Sequence, residues 1–379
     1  MTAHSGLLRV GRAGAPRAFW RSWTGRALEP RVPGKWVVDA ASGAGADTSN
    51  LEEALEAARP GGEILIRPGA YSLSAALNRP LTLTGQGAGP EETTLTASSS
   101  TALAVTMGKV TLRNLTVAVD GSGGAALRVD GGELSLSRVR LRAAAGSLGA
   151  EVLRGRLSAE ETVFDGEGTG ALILGRASRG EFNGALFYNT GHALRVSDGA
   201  QAMVSSSTFK DNAGAFSADA EGSISDLGST LRNSRESAVL AVDRSKVQLS
   251  GTRIEGSGKH GVSLGQGATA ALHRVSITGS GGAAVSVSGK AELHAITIQL
   301  RDNRSCALEL ENAEAFLDAA VVQGNQCGVA FFGRGALQSN AGDFTGNSRG
   351  ALLYSEKFKS KIFLKGAGNL PPDFQGLFR

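Results

Sequence analysis

The chain has 379 residues, of which 41% are hydrophobic, 20% charged and 53 glycine. That is the composition of a soluble globular protein with room for one long core or two ordinary domains, and the absence of a strict three-residue glycine period excludes collagen. The net charge of +4 is unevenly placed: residues 1–35 carry seven basic side chains against Glu29, so everything after them is slightly acidic.

Residues 1–35 therefore read as a basic leader or linker, predicted to be disordered. No specific nucleic-acid binding is expected from so short a basic stretch. No apolar run of 18 or more residues is present, so no transmembrane segment is expected, and no ordinary secretory signal is visible. The two cysteines, Cys306 and Cys327, are too few for a disulfide framework or a zinc site. They read as reduced, small apolar residues, and together with the missing signal they lean towards a cytoplasmic setting. No cofactor and no metal are expected.

TSNLEEALEAARPGG (48–62) reads as a short helix, with Ser49 and Glu52 as a capping box and Pro60-Gly61-Gly62 as its stop. Such a helix would cap the open end of whatever follows. EILIRPGAYSL then alternates as a strand.

From residue 101 the chain repeats. Taking HALRV (192–196) as template, matching segments begin at Thr101, Ala125, Leu148, Gly170, His192, Gly214, Ser237, His260, Ala283, Cys306, Cys327 and Arg349, spaced 21 to 24 residues apart. The second position is Ala or Gly in all twelve, and the third and fifth are almost all apolar. Alternation of this kind is a half-buried strand, and an always-small position marks a close backbone approach. A second alternating half follows, as in GELSLSRVRL (132–141), then a polar turn that often holds Asn, as at Asn189, Asn212, Asn233, Asn303, Asn325 and Asn347. Asn tolerates the left-handed conformation that such turns need. A helix-free unit of about 22 residues fits one turn of a parallel β-helix, with successive coils about 4.8 Å apart.

Residues 36–87 resemble the N-terminal region of the pectin lyase-like superfamily. The resemblance rests on PG-x-Y (Pro68, Gly69, Tyr71) and RP-L-T-L-x-G-x-G (Arg79, Pro80, Leu81 to Gly85, Gly87). It implies an all-β fold: a single-stranded right-handed parallel β-helix, a solenoid of about 12 or more coils with a short N-terminal capping helix. The expected organisation is a leader at 1–35, a β-helix domain at 36–365 (36–100 the first coils with the helix, 101–365 regular coils) and a cap or tail at 366–379. The family's chemistry does not carry over. Where pectin methylesterases usually have Glu after the motif tyrosine this chain has Leu73, and no calcium-binding Asp cluster of the pectate lyase kind is present.

Candidate site residues come from the outward ladders of the first half-repeat. Glu309 and Glu311 project from one face of one strand, about 7 Å apart by strand geometry, within the spacing of an inverting glycosidase. Arg195 and Asp219 lie diagonally on adjacent coils near His192, as an acid–base or sugar-binding patch or a plain surface ion pair. Phe332 and Tyr354 would form an exposed aromatic ladder. The reading that follows is a non-catalytic β-helix presenting an elongated surface to a polysaccharide or protein partner. The alternative is a carbohydrate-active lyase or glycosidase using Glu309, Glu311, Asp219 or Arg195, and the third a self-assembling fibre module.

Overall fold

The computed structural model describes residues 34–98, 100–354 and 361–365. The leader, apart from Gly34 and Lys35, and the tail at 366–379 lie outside the described residues. What is described is a parallel β-solenoid of about 13 coils.

Most coils turn through three faces with a strand on each, and equivalent strands of successive coils pair in parallel. The first face holds the HALRV segments, from Ala75–Leu77 through His192–Ser197 to Leu352–Tyr354. The second face holds strands such as Gln201–Ser205 and Ser223–Leu227. The third is a separate 12-stranded sheet from Gly69–Ser72 to Val321–Gln323. The first two faces join into one 26-stranded sheet, because Ala125–Ser137 and Leu148–Glu160 run through the corner between them. They bend there at Gly131, Gly132 and Gly155, all with positive φ.

The second half-repeat, read from sequence as one alternating segment, is broken by a corner between the second and third faces. One residue per coil turns it in the left-handed region, including Asn114 (φ 50°), Arg138 (φ 51°), Glu161 (φ 47°), Ser206 (φ 48°) and Arg274 (φ 51°). Left-handed backbone costs a non-glycine residue about 1–2 kcal/mol. The next coil holds the corner in place: Asn114 N–H donates to the Ser137 carbonyl, Arg138 N–H to that of Glu160, and Glu161 N–H to that of Asn183. Because the side chain does not enter this geometry, the corner has no sequence signature.

The corner between the third and first faces does have one. Asn189 (φ 53°) and Asn233 (φ 54°) are left-handed as expected, but Asn212, Asn303, Asn325 and Asn347 follow a left-handed residue and turn inwards. The amide of Asn303 donates to Asn325 Oδ1 at 2.9 Å and that of Asn325 to Asn347 Oδ1 at 3.1 Å, while Asn303 Oδ1 accepts from Ser280 N–H at 2.9 Å. The asparagines are selected as an internal ladder as much as for their backbone conformation.

The small second position of the repeat is explained by its neighbour one coil on. A Cβ on Gly149 would lie 2.5 Å from the Gly170 carbonyl oxygen, and one on Gly328 2.5 Å from that of Ala351. In two coils the register differs by one residue from the sequence alignment. Leu172, not Ile173, pairs with Arg195 and faces outwards, so that Gly170 takes the small slot and Ile173 is buried. Likewise Leu353, not Leu352, pairs with Ala330.

Inside, the core is Leu, Val, Ile and Ala, with one aromatic stack. Phe164, Phe187 and Phe209 lie in register on three third-face strands with centroids 4.2 and 4.5 Å apart, and Phe182 and Phe216 meet the stack edge-on.

At the N-terminal end, helix α1 (Leu51–Ala57) buries Leu51, Ala54 and Leu55. Its cap is Asn50, whose side chain accepts from Glu52 and Glu53 N–H, rather than Ser49. Arg79 closes its other end, donating to the carbonyls of Leu55, Glu56 and Ala58. A guanidinium across the last carbonyls satisfies acceptors that the helix leaves open and suits the negative end of its dipole. Arg79→Met is expected to cost about 1.5–3 kcal/mol, the range for hydrogen bonds to a charged group. Hydrogen exchange should show protection lost over residues 51–66 and kept in the later coils.

Tyr71 pins the adjoining loop, its hydroxyl accepting from Ala40 N–H at 3.1 Å and donating to the Arg67 carbonyl at 2.9 Å. Leu73, in the position where the resembling esterases carry Glu, is buried.

Candidate binding face

Successive second-face strands align residue for residue, so their outward side chains form three columns. Towards the N-terminal end these columns are charged: Lys109 and Arg113, Glu133, Arg156 and Glu160, Arg179 and Glu181. Further along they carry Glu292, Glu314 and Asp318. Between the two lie four coils, on strands Gln201–Ser205, Ser223–Leu227, Lys246–Ser250 and Thr269–His273. Of the outward residues there, Lys246 alone is a Lys, Arg, Asp or Glu; the rest are Ser, Thr, Gln, Ala, Met, Leu and His. Two large apolar side chains stand out from this window, Met203 at 63% exposure and Leu227 at 62%.

The second and third columns of the window, from Met203 and Ser205 to Ala271 and His273, floor a shallow open depression of roughly 720 Å3, which continues onto Ser158, Glu160, Glu181 and Asn183. Glu181 is tied to Arg156 at 2.8 Å, so the nearer acid on that rim is neutralised. A second depression, on the same face, is lined by Glu292, His294, Glu314 and Phe316; the rings of His294 and Phe316 are 6.2 Å apart. Among the described residues no group of three His, Cys, Asp or Glu side chains is placed to hold a metal ion. None of their helices is long and apolar enough to cross a membrane.

The residues singled out from the sequence lie on the first face and line neither depression. Glu309 and Glu311 share the strand Cys306–Glu311, with Ser286 and Ala330 beside Glu309 and Ser288 beside Glu311. Glu309 is held by its own coil, its Oε1 accepting from the Ser305 hydroxyl at 2.7 Å. Arg195 and Asp219 form an ion pair at 3.2 Å, both partly exposed. His192 stands at the head of its strand opposite Gly214, while His260, in the same slot three coils on, accepts the Ala283 N–H at Nδ1.

Two expectations are corrected. Tyr354 pairs in register with Phe331, not with Phe332, so the two aromatics do not form a ladder; the Tyr354 side chain lies outside the described atoms. Phe332 is 56% exposed. Cys306 and Cys327 are not two free thiols. They pair in register with Cα atoms 4.3 Å apart, closer than the ideal coil spacing, and their sulfurs are joined. Cysteine usage therefore gives no argument for a reducing compartment.

The second-face window was missed because only the ladders of the first half-repeat were read for chemistry. Its signal is in the sequence: aligning QAMVS, SISDL, KVQLS and TAALH shows outward positions almost without charge.

Comparison with known proteins agrees with this architecture. A family described as right handed beta helix region matches residues 219–362. The chain is a right-handed parallel β-helix repeat protein. Among solved structures the β-helix is similar to the A-module of the mannuronan C-5 epimerase AlgE6 of Azotobacter vinelandii. The two are 14% identical over 84% of this chain and 93% of that one, with a TM-score of 0.50. It is also similar to tailspike protein 3 of bacteriophage CBA120 (11% identity, 87% of this chain, 59% of that one, TM-score 0.49). A third is the catalytic unit of an α-1,3-glucanase of Streptomyces thermodiastaticus (15% identity, 84% and 65%, TM-score 0.46). At these identities the likeness is one of fold. No curated protein sequence matches the chain.

Proposed function

We propose that the β-helix is a non-catalytic binding protein whose second face holds an elongated, uncharged partner, with a polysaccharide as the first candidate and a protein segment as the second. The observation that carries this is the four-coil window with Lys246 as its one outward Lys, Arg, Asp or Glu, set between charged stretches of the same face. Hydroxyl and amide side chains such as Ser205, Ser225, Gln248 and Ser250 offer both donors and acceptors to a hydroxyl-rich chain. Met203 and Leu227 add exposed apolar area that such a partner would cover. The ladder, about 14 Å from its first strand to its fourth at the ordinary strand spacing, suits a polymer better than a compact ligand. That the epimerase module named above acts on mannuronan favours testing polysaccharides first.

Affinity electrophoresis against uncharged polysaccharides (dextran, galactomannan) and anionic ones (polygalacturonate, alginate) tests the reading. The β-helix is expected to be retarded by at least one uncharged polymer. Met203→Glu and Leu227→Glu should each weaken that retardation at least tenfold with unchanged thermal stability, since both side chains are solvent-facing. Retardation by anionic polymers alone, or retardation untouched by either substitution, contradicts it.

A further inference from the structure

The inward slot behind Ser225 and Leu227 holds the most unusual side chain of the solenoid wall. In the neighbouring coils it carries Phe182, Val204, Leu249 and Leu272, all buried. In this coil it carries Asp226, which is 4% exposed. Only one other acid among the described residues is buried, Asp39 at 7% exposure, and it is paired with Arg67. Asp226 has no cation. Its Oδ2 accepts from the Thr252 hydroxyl and, at 3.4 Å, from Ser229 N–H, while Oδ1 has no hydrogen-bond partner.

The strands packed around it offer nothing to neutralise a charge. The buried side chains of these coils include Val204 and Leu249 on the second face, Leu231 and Ile254 on the third, and Phe216 and Val239 on the first, and none of their buried polar residues is a cation. The other charged residues on the second- and third-face strands of these coils, Lys210, Arg232, Lys246, Arg253 and Glu255, occupy outward positions. A carboxyl group in such a place is tolerable with its proton and costly without it, because a buried charge with an unsatisfied oxygen must find water. At the adjoining corner Gly228 turns in the left-handed region, and a side chain there would meet nothing within 4 Å.

We propose that Asp226 is a proton-operated latch on the middle coils: with its proton it sits in the wall, and without it the corner between the second and third faces, Leu227–Thr230, opens to admit water. Burial holds the carboxyl above the usual range, with the Ser229 and Thr252 hydrogen bonds opposing. An acid raised in this way binds its proton more tightly folded than unfolded. Stability is therefore fully present below the ordinary carboxyl value of about 3.9, falls as pH rises from there to the folded value, and levels off above it. The proposal does not rest on a partner at the second face, although Leu227 belongs both to this corner and to the window above.

Native-state hydrogen exchange on the full chain between pH 4 and pH 8, corrected for the intrinsic rate, tests the proposal. In the wild type the opening constant for amides of Ile224–Arg232 is expected to rise with pH, by up to about tenfold per unit, until the folded pKa is passed. In Asp226→Asn and in Asp226→Leu, which restores the aliphatic slot, it should not rise. Amides of residues 292–318 should show no such rise in any of the three. A flat wild-type profile, an equal rise in the Asp226→Leu protein, or protection that increases with pH overturns it.

Discussion

Phe187→Ala is expected to lower the unfolding free energy by about 3–5 kcal/mol, the range for removing a fully buried Phe. Phe187 is the middle ring of the stack, 4.2 Å from Phe164 and 4.5 Å from Phe209, with Phe182 edge-on at 5.6 Å. Its loss removes contacts with the coils on both sides at once. In a solenoid, where each coil touches only its neighbours, stability is close to a sum of coil and interface contributions, so two adjacent interfaces weaken together. The stack is rigid and stabilised by strand pairing above and below, which limits collapse into the cavity. Denaturant unfolding should show a lower midpoint, and a split of the transition into two would place the break at this coil. Phe187→Leu, which keeps most of the volume, should lose less than half as much. A loss below 1 kcal/mol for Phe187→Ala would mean that the stack contributes no more than an average aliphatic position.

Asn325→Leu should be nearly as damaging for a different reason. Asn325 Oδ1 accepts from both the backbone N–H and the side-chain amide of Asn303, at 3.1 and 2.9 Å. Its own amide donates to the Leu300 and Gln323 carbonyls at 2.9 and 3.0 Å and to Asn347 Oδ1. Leucine fits the volume but leaves those groups without partners, at about 1–3 kcal/mol for each that stays buried and unpaired. Asn303→Leu alone should cost a similar amount. The double substitution should cost less than the sum, because some of the orphaned groups belong to the other member of the pair; a double-mutant cycle measures that difference. Full additivity would mean that the ladder is a row of independent side chains.

The chain discloses its solenoid through one slot. Ala or Gly at every second position of the repeat records the close approach of the next coil's carbonyl, as at Gly149 and Gly328. The same slot explains where the alignment slipped. In TGALIL and SRGALL two small residues stand side by side, so Gly170 or Ala171, and Gly350 or Ala351, satisfy the pattern equally; strand pairing chooses. That one-residue ambiguity is what aligned Tyr354 with Phe332 instead of with Phe331. The third strand of each coil was hidden because the corner before it accepts Asn, Arg, Glu, Ser and Gly alike, fixed by backbone hydrogen bonds rather than by side chains.

Chemistry was less legible than fold. Rare residues drew attention on the first face, where Arg195 and Asp219 make a surface ion pair and Glu309 is tethered to Ser305. The second-face window is marked by what it lacks, and a near-absence of charge emerges only after the coils are in register. Asp226 was passed over for the opposite reason. In sequence SISDL alternates like its neighbours, and only the register shows that its acid falls on an inward position.

The central claim, binding without catalysis on the second face, is tested most directly by one screen. The protein is incubated with an array of polysaccharides, retention is read for each, and the soluble fraction is analysed for new chain ends. The expected result is retention on at least one uncharged polymer with no new ends, lost in Leu227→Glu. Release of fragments from any polymer, abolished by Glu309→Gln or Asp219→Asn, would contradict the account and move the working site to the first face.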